Sequence, residues 1–295
     1  MSVEEVIIVG AGPAGLAAAL QLKRYDITAL VFERGEIGGL LRNANLVENY
    51  PGFPRGISGP KLVALFEKQA RQAGVQVTFE EVTSLSYQDG LFQALTPRGA
   101  YQARVAGVAS GTKPRTFTDF HIPEELKDRV FYEVYPLRRV KGERIAIVGA
   151  GDAAFDYALN LSRHNQVTIL NRDGETQCLP LLLKRAGLVS AIHYRPHTAI
   201  RKITSAADSL LLECSGPEGR VLLEADYLIG AIGREAQIDF ISDIILQIAQ
   251  ELEDQGRFYW IGDVKNGLFR QTTIAAGQGI LAAMKIYTTL KELPP

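Results

Sequence analysis

The sequence predicts an α/β chain made of two strand–turn–helix units, the second inserted into the first, and three observations lead there. A glycine-rich turn occurs twice, as Gly10-Ala11-Gly12-Pro13-Ala14-Gly15 and as Gly149-Ala150-Gly151-Asp152-Ala153-Ala154. Each copy follows an apolar strand, residues 6–9 or 145–148, and opens a helical stretch. A strand and a long helix over residues 257–293 follow the second unit, which suggests that the end of the chain completes the first domain.

The first glycine of such a turn allows the tight bend, and the second lets the backbone approach a pyrophosphate. The third position, Gly15 or Ala154, lets helix pack closely on strand. A phosphate then sits among N–H groups at a helix N-terminus. Two matching frames predict two Rossmann-like dinucleotide-binding domains of the three-layer ββα type. The expected boundaries are 1–116 with 238–295 for the outer domain and 117–237 for the inserted one.

Along the chain, residues 3–36 read as strand, turn, helix (13–24) and strand (28–32), one βαβ unit. Residues 35–59 are turn-rich and read as a loop wrapped over a ligand. A helix over 60–73 follows, then strands at 75–79, 91–96 and 101–108, the later ones an antiparallel meander. The first crossing between domains is placed at 111–114, after which the pattern fades until Glu143. The second βαβ unit takes 144–170 with its helix at 152–162. A strand pair is expected near 203–213 and 221–228, and a return crossing at 230–234. The final segment holds a strand, a Gly262-Asp263 turn and a helix over 273–290.

Composition narrows the function. With 295 residues, 46% hydrophobic and 22% charged, the chain reads as a soluble protein large enough for two cores. A net charge of −1 argues against nucleic acid or a membrane surface as partner. The longest apolar runs, such as 15–22, are far shorter than a membrane span. The first strand starts within a few residues of Met1, leaving no room for a signal peptide, so the expected location is the cytoplasm. Cys178 and Cys214 stand 36 positions apart without metal spacing and read as plain thiols. His121, His164, His193 and His197 show no metal pattern, so no metal site is expected.

Position in the second strand separates the two nucleotides. Glu33 lies 23 residues after Gly10 and suits a ribose with free hydroxyls, as in FAD or NAD. The same count from Gly149 reaches Arg172, and both units continue Gly-Glu, as Gly35-Glu36 and Gly174-Glu175. A guanidinium there suits a 2′-phosphate, favouring NADPH over NADH. Asn171 and Asp173 flank it.

Several motifs in order resemble the low-molecular-weight thioredoxin reductase family, over nearly the whole chain. Gly10, Gly12, Pro13, Ala14 and Gly15 with Glu33 and Arg34 resemble that family's FAD cradle. Gly38-Gly39-Leu40, then Glu48-Asn49 and the run 50–54, resemble its flavin-covering loop. Ala109-Ser110-Gly111 with Pro114-Arg115 look like the crossing motif. Gly149, Gly151, Asp152, Ala153 and Ala154 with Asn171 and Arg172 are similar to the nicotinamide-nucleotide cradle, and Ile232-Gly233-Arg234 to the return crossing. Gly262-Asp263, Arg270-Gln271-Thr272 and Ala275 resemble the closing FAD motif. The resemblance implies that Asp263 bonds the ribityl chain and that the helix after Gln271 points its positive end at the flavin, where it would stabilise negative charge. It also implies a homodimer.

Three departures stand out. The family's dithiol C-x-x-C falls, by counting back from Gly149, on Tyr132 and Tyr135. Without a thiolate the family's reaction cannot run by the same route, so the chain is expected not to be a thioredoxin reductase. Leu40 replaces a glutamine. The Asp156-Tyr157-Ala158 stretch is closer to ferredoxin–NADP reductases of the thioredoxin-reductase type, which also lack the dithiol, although their C-terminal aromatic cap has no counterpart here. The expected activity is hydride transfer from NAD(P)H to FAD, with no catalytic side chain, and onward transfer to ferredoxin, flavodoxin, a quinone, oxygen or another acceptor. Tyr132 and Tyr135 either shield the flavin or fill a core. Arg138, Arg139, Lys141 and Arg144 either dock an acidic electron carrier or form a solvated face. The alternatives are a flavoprotein without turnover, acting as redox sensor or scaffold, and a different nucleotide in the second cradle.

Overall fold

The computed structural model describes residues 3–206 and 208–292. The chain divides into two compact units, 1–42 with 47–113 and 235–295, and 43–46 with 114–234. The divisions fall a few residues before those expected, and a short piece of the 35–59 loop joins the second unit. The expected end of the final segment, at Leu293, lies outside the described residues.

In the first unit, β1 (Val3–Val9) runs into α1 (Pro13–Lys23) and returns as β2 (Leu30–Phe32). Pro13 sits at the first helical turn, where its missing N–H costs nothing. After α2 (Gly59–Gln72) come β3 (Val77–Thr78), β4 (Ser84–Gln88), β5 (Leu91–Thr96) and β6 (Gly99–Val108). The ten-residue β6 pairs antiparallel with β5 and parallel with β1, so meander and parallel sheet share one strand. Chain then leaves through β7 (Thr112–Pro114).

The second unit contains β8 (Val130–Phe131), β9 (Arg144–Val148), α3 (Asp152–Leu161), β10 (Gln166–Leu170), α4 (Pro180–Gly187) and β11 (Ile192–Arg195). It continues with β12 (Ala199–Ala206), β13 (Ser209–Gly216), β14 (Gly219–Ala225) and β15 (Tyr227–Gly230). Its parallel sheet has the order β11-β10-β9-β15-β8, and β12-β13-β14 form a separate antiparallel sheet. The single strand expected over 203–213 is instead an antiparallel pair, β12 and β13, and residue 207 lies outside the described residues. The run 221–228 likewise divides at Asp226 between β14 and β15, which lie in different sheets. Both runs read as continuous because neither break carries a glycine or proline to mark it.

The chain returns through β16 (Arg234–Ala236), paired with β7, then α5 (Asp243–Asp254), β17 (Phe258–Trp260) and α6 (Thr272–Glu292). β17 joins the first sheet against β6, which completes the first domain from the C-terminal end. Each unit has a core on either face of its parallel sheet. In the first, α1 and α6 cover one face around Val6, Ile8 and Val31, while β4, β5 and α5 cover the other around Ile7, Phe32 and Phe258. In the second, α3 and α4 cover Ile145 and Val167, and the β12–β14 meander covers Ala146 and Leu228. This is the three-layer arrangement expected. Among the described residues no helix is long and apolar enough to cross a membrane.

Candidate nucleotide-binding sites

Each glycine turn is built by the same steric rule. Gly10 has φ +106°, and a Cβ on it would lie 2.4 Å from the carbonyl oxygen of Ala109. Gly149 has φ +135° and stands equally close, 2.3 Å, to the carbonyl of Ala231. Neither position admits a side chain. The second glycines, Gly12 and Gly151, are the N-caps of α1 and α3, and a Cβ on either would meet nothing within 4 Å. Each turn is therefore open on the side of its second glycine. Neither helix carries a side-chain cap there. The third position differs: a Cβ on Gly15 would fall 1.9 Å from the Gly10 carbonyl oxygen, whereas Ala154 carries one and is fully buried.

The likeness extends into the loops. The Gly38 N–H donates to the Ala11 carbonyl and the Gln177 N–H to the Ala150 carbonyl, both at 2.9 Å. In each unit, then, the chain after the second strand folds back on the turn at the same register.

In the first unit, Glu33 stands over the turn. Its Oε2 accepts from the Ala11 N–H and its Oε1 from the Gly35 N–H, both at 2.9 Å. A cleft of about 370 Å³ opens beside Gly10 and Glu33, of a size to admit part of a cofactor. Val9, Phe32, Val82 and Phe240 give it apolar surface, and Arg34, Ser110, Glu80, Glu81, Thr83, Gln237 and Asp239 give polar surface. Residues 80–83, 237, 239 and 240 were not expected. They belong to connections without motif, and only the placement of β3 beside β2, where the Glu33 N–H reaches the Thr78 carbonyl, brings 80–83 to the cleft. Ala109 is buried at the end of β6, the Ser110 hydroxyl donates to the Gln237 carbonyl at 2.6 Å, and the Gly111 carbonyl accepts from the Gln237 N–H.

The remaining first-unit candidates lie in the loop after β2 and around the start of α6. Gly39 and Leu40 begin a 3-10 turn, and a Cβ on Gly39 would lie 3.6 Å from the Gly12 Cα. Asn49 donates to the Gln271 Oε1 at 2.8 Å, linking the covering loop to the segment Arg270-Gln271 ahead of α6. Thr272 opens α6, Ala275 is buried on it, and Asp263 lies in the 3-10 turn Gly262–Val264.

In the second unit, Asp152 opens α3 and its Oδ1 accepts the Leu179 N–H at 2.7 Å, with Ala153 exposed beside it. Asn171 is buried and committed to its own loop. It accepts from the Asp173 N–H and donates to the Glu175 carbonyl and the Tyr194 hydroxyl. Arg172 is 73% exposed, 3.9 Å from Asp119 and 3.6 Å from Asp173. Gly233, at φ +106°, accepts the Arg115 N–H through its carbonyl, Ile232 is half-buried, and Arg234 pairs with Glu133 at 3.2 Å. Among the described residues no cluster of three metal-ligating side chains exists.

A model of the pyridine nucleotide-disulphide oxidoreductase family matches residues 4–279. The chain belongs to that family. It is 32% identical to the thioredoxin reductase of Treponema pallidum over 95% of this chain and 94% of that one. It is also 32% identical to the bifunctional thioredoxin reductase/thioredoxin of Mycobacterium leprae, over 99% of this chain and 67% of the relative. The crystal structure of the thioredoxin reductase of Lactococcus lactis superposes with a TM-score of 0.86 at 27% identity, covering 98% of this chain and 100% of that one. The fold is thus that of thioredoxin reductases, with two Rossmann-like domains.

In this member of the disulphide oxidoreductase family, Tyr132 and Tyr135 are built into the second unit. The Tyr132 ring packs 5.4 Å from that of Phe117 and covers Gly230, where a Cβ would come within 2.7 Å of it. Its hydroxyl accepts the Phe117 N–H at 3.1 Å. Tyr135 lies under the Arg138 guanidinium at 3.8 Å, and its N–H donates to the Asn43 Oδ1 at 3.0 Å. Both cysteines are free thiols. Cys214 is buried in the meander, where burial pushes its pKa up to about 11. Burial also raises that of half-buried Cys178. The expected basic cluster is smaller than its sequence. Arg144 is held by Asp226 at 2.8 Å and by Glu224, because β14 and β15 bring both carboxylates to the start of β9.

Proposed function

We propose that this chain is an FAD-dependent NAD(P)H oxidoreductase that delivers electrons to an acceptor other than a protein dithiol. In this reading 1–116 with 238–295 hold FAD and 117–237 hold the nicotinamide nucleotide. The observation that carries the second clause is the packing of Tyr132 and Tyr135, with both thiols of the chain pushed toward the unreactive neutral form.

The turns fit two dinucleotides, since each leaves its second glycine open and its helix start free of a side-chain cap. Together, bound flavin and nicotinamide supply hydride transfer, so the protein's share is binding, orientation and electrostatics. Glu33 would accept from ribose hydroxyls. Asp263, Asn49, Gln271 and the first turn of α6 would hold the flavin and favour negative charge on it. Arg172 would grip a 2′-phosphate, favouring NADPH. Its contacts with Asp119 and Asp173 are exposed and weak enough to exchange for that grip.

Arg139 and Lys141 are exposed and would greet an acidic carrier such as ferredoxin or flavodoxin. A quinone or oxygen would need no such surface. Pairing as a homodimer in the cytoplasm completes the proposal.

Anaerobic NADPH should bleach the yellow flavin band while maleimide labelling of Cys178 and Cys214 in the folded protein stays the same. A rise in reactive thiols on reduction, together with reduction of thioredoxin, would overturn the acceptor assignment and make the chain a thioredoxin reductase. Material that neither contains nor takes up FAD would overturn the whole reading.

A further inference from the structure

The turn bearing Asp263 is held by a side chain from within α6. Gln278 accepts the Gly262 N–H through its Oε1 at 2.9 Å and the Asn266 amide through the same atom at 3.2 Å. It returns a hydrogen bond from its Nε2 to the Asn266 Oδ1 at 2.8 Å. One carboxamide thus bridges the first and last residues of the segment 262–266, with Asp263 between them.

The turn is also closed by the Lys265 N–H, which donates to the Gly262 carbonyl at 3.2 Å, and Gln278 adds a side-chain tie from α6. Gly262 is buried at φ +79°, and a Cβ on it would strike the Ala14 Cβ at 2.7 Å, with the Ala275 Cβ at van der Waals distance, 3.5 Å. Ala275, Gln278 and Gly279 follow at helical spacing, so they share one face of α6. On that face Ala275 meets the turn, Gln278 ties it, and Gly279 meets α1, where a Cβ would fall 2.2 Å from the Ala14 carbonyl oxygen. Ala14 is the fifth residue of the first glycine turn. The pyrophosphate turn and the Asp263 turn therefore bear on the same strip of α6, and Gln278 is the polar group that fixes the second of them.

We propose that Gln278 is a positioning residue for the first nucleotide site, acting through the Gly262–Asn266 turn and not on the cofactor itself. The proposal rests on the reading that the first unit binds FAD with Asp263 facing it. Loss of the carboxamide leaves the Gly262 N–H without its acceptor and the turn free to sample other conformations, so cofactor binding must pay to order it.

The test titrates FAD into the deflavinated full chain. Gln278→Ala should weaken FAD binding several-fold, up to about ten-fold, the effect of losing part-buried hydrogen bonds. Gln278→Glu keeps the oxygen that accepts from Gly262 but loses the Nε2 donor to the Asn266 Oδ1, so it should bind FAD better than Gln278→Ala and less well than wild type. Asn266→Ala should show a smaller loss than Gln278→Ala and decides the matter if the latter does not fold. The melting temperature of each FAD-free variant separates a merely structural role, which would lower it and leave the FAD dissociation constant unchanged. Equal FAD affinity in Gln278→Ala and wild type, or equal loss in Gln278→Ala and Gln278→Glu, overturns the proposal. A wild-type chain that binds no FAD overturns the underlying reading instead.

Discussion

Gly12 and Gly10 stand two residues apart and face opposite constraints. Gly12 opens on empty space, so its side chain is limited only by what binds there. Gly12→Val should keep the wild-type melting temperature of the FAD-free protein to within a few degrees and lose flavin retention altogether. Gly10→Val meets the Ala109 carbonyl at a φ suited to glycine and should fold poorly as well as bind poorly. Flavin absorbance after gel filtration, read beside thermal unfolding, separates the two. Arg172→Ala should weaken NADPH on the order of ten-fold, as expected for a charge-assisted fork, and NADH far less. Equal loss for both nucleotides in stopped-flow reduction removes the case for a 2′-phosphate. The steric demand on Gly10 and the open position of Gly12 were legible in the sequence because a tight turn sets both at a fixed count. Gln278 and residues 80–83 were not, since an amide on a helix and a bare connection carry no signal until the chain is folded.

At the scale of the element, α3 shows how one helix serves two tasks. Its first turn follows the second glycine turn, while Asp156 further along receives the segment 43–46. The Asn45 N–H donates to the Asp156 Oδ2 at 2.8 Å, and Arg163 reaches the Asn45 side chain at 2.7 Å. Burial raises the Asp156 pKa from 3.8 to about 6, against the pull of the Asn45 and Leu46 N–H groups and of Arg163, with Asp152 adding a little repulsion. The folded state therefore holds a proton that the unfolded chain has released. Stability falls as pH climbs from roughly 4 to 6, by on the order of 3 kcal/mol, and this contribution is flat above that window. In Asp156→Asn the dependence should vanish, so the melting temperature of the variant should gain on wild type between those values. A constant difference across the range would show that Asp156 is ionised throughout.

The elements themselves were unevenly readable. The βαβ units stand out because strand and helix periods meet at a glycine turn. In contrast, α5 carries Ile245, Ile248 and Leu252 at helical spacing, yet follows a crossing that reads as connection. Helix α4 exposes Leu181 and Leu183, so its outward face masks the pattern on which such assignments depend.

The two units share a plan but differ in how their layers are joined. In the first, β6 belongs to the meander and to the parallel sheet at once; in the second, the meander is a sheet of its own. Ordinary pattern reading sees three layers in both, because alternation within a strand says nothing about which neighbours it keeps. The difference is visible to amide hydrogen exchange. Protection in β5 should match that in β1, both released only when the first unit opens as a whole, whereas β12 and β13 should exchange faster than β9 and β10 through a partial opening. Uniform protection across the second unit would contradict this. A strand shared between layers makes the first unit a single foldon, and the detached sheet gives the second a weak seam. Under a protease or a mechanical load, the inserted half of this chain should be the half that gives way first, beginning where β12 and β13 stand apart from its parallel sheet.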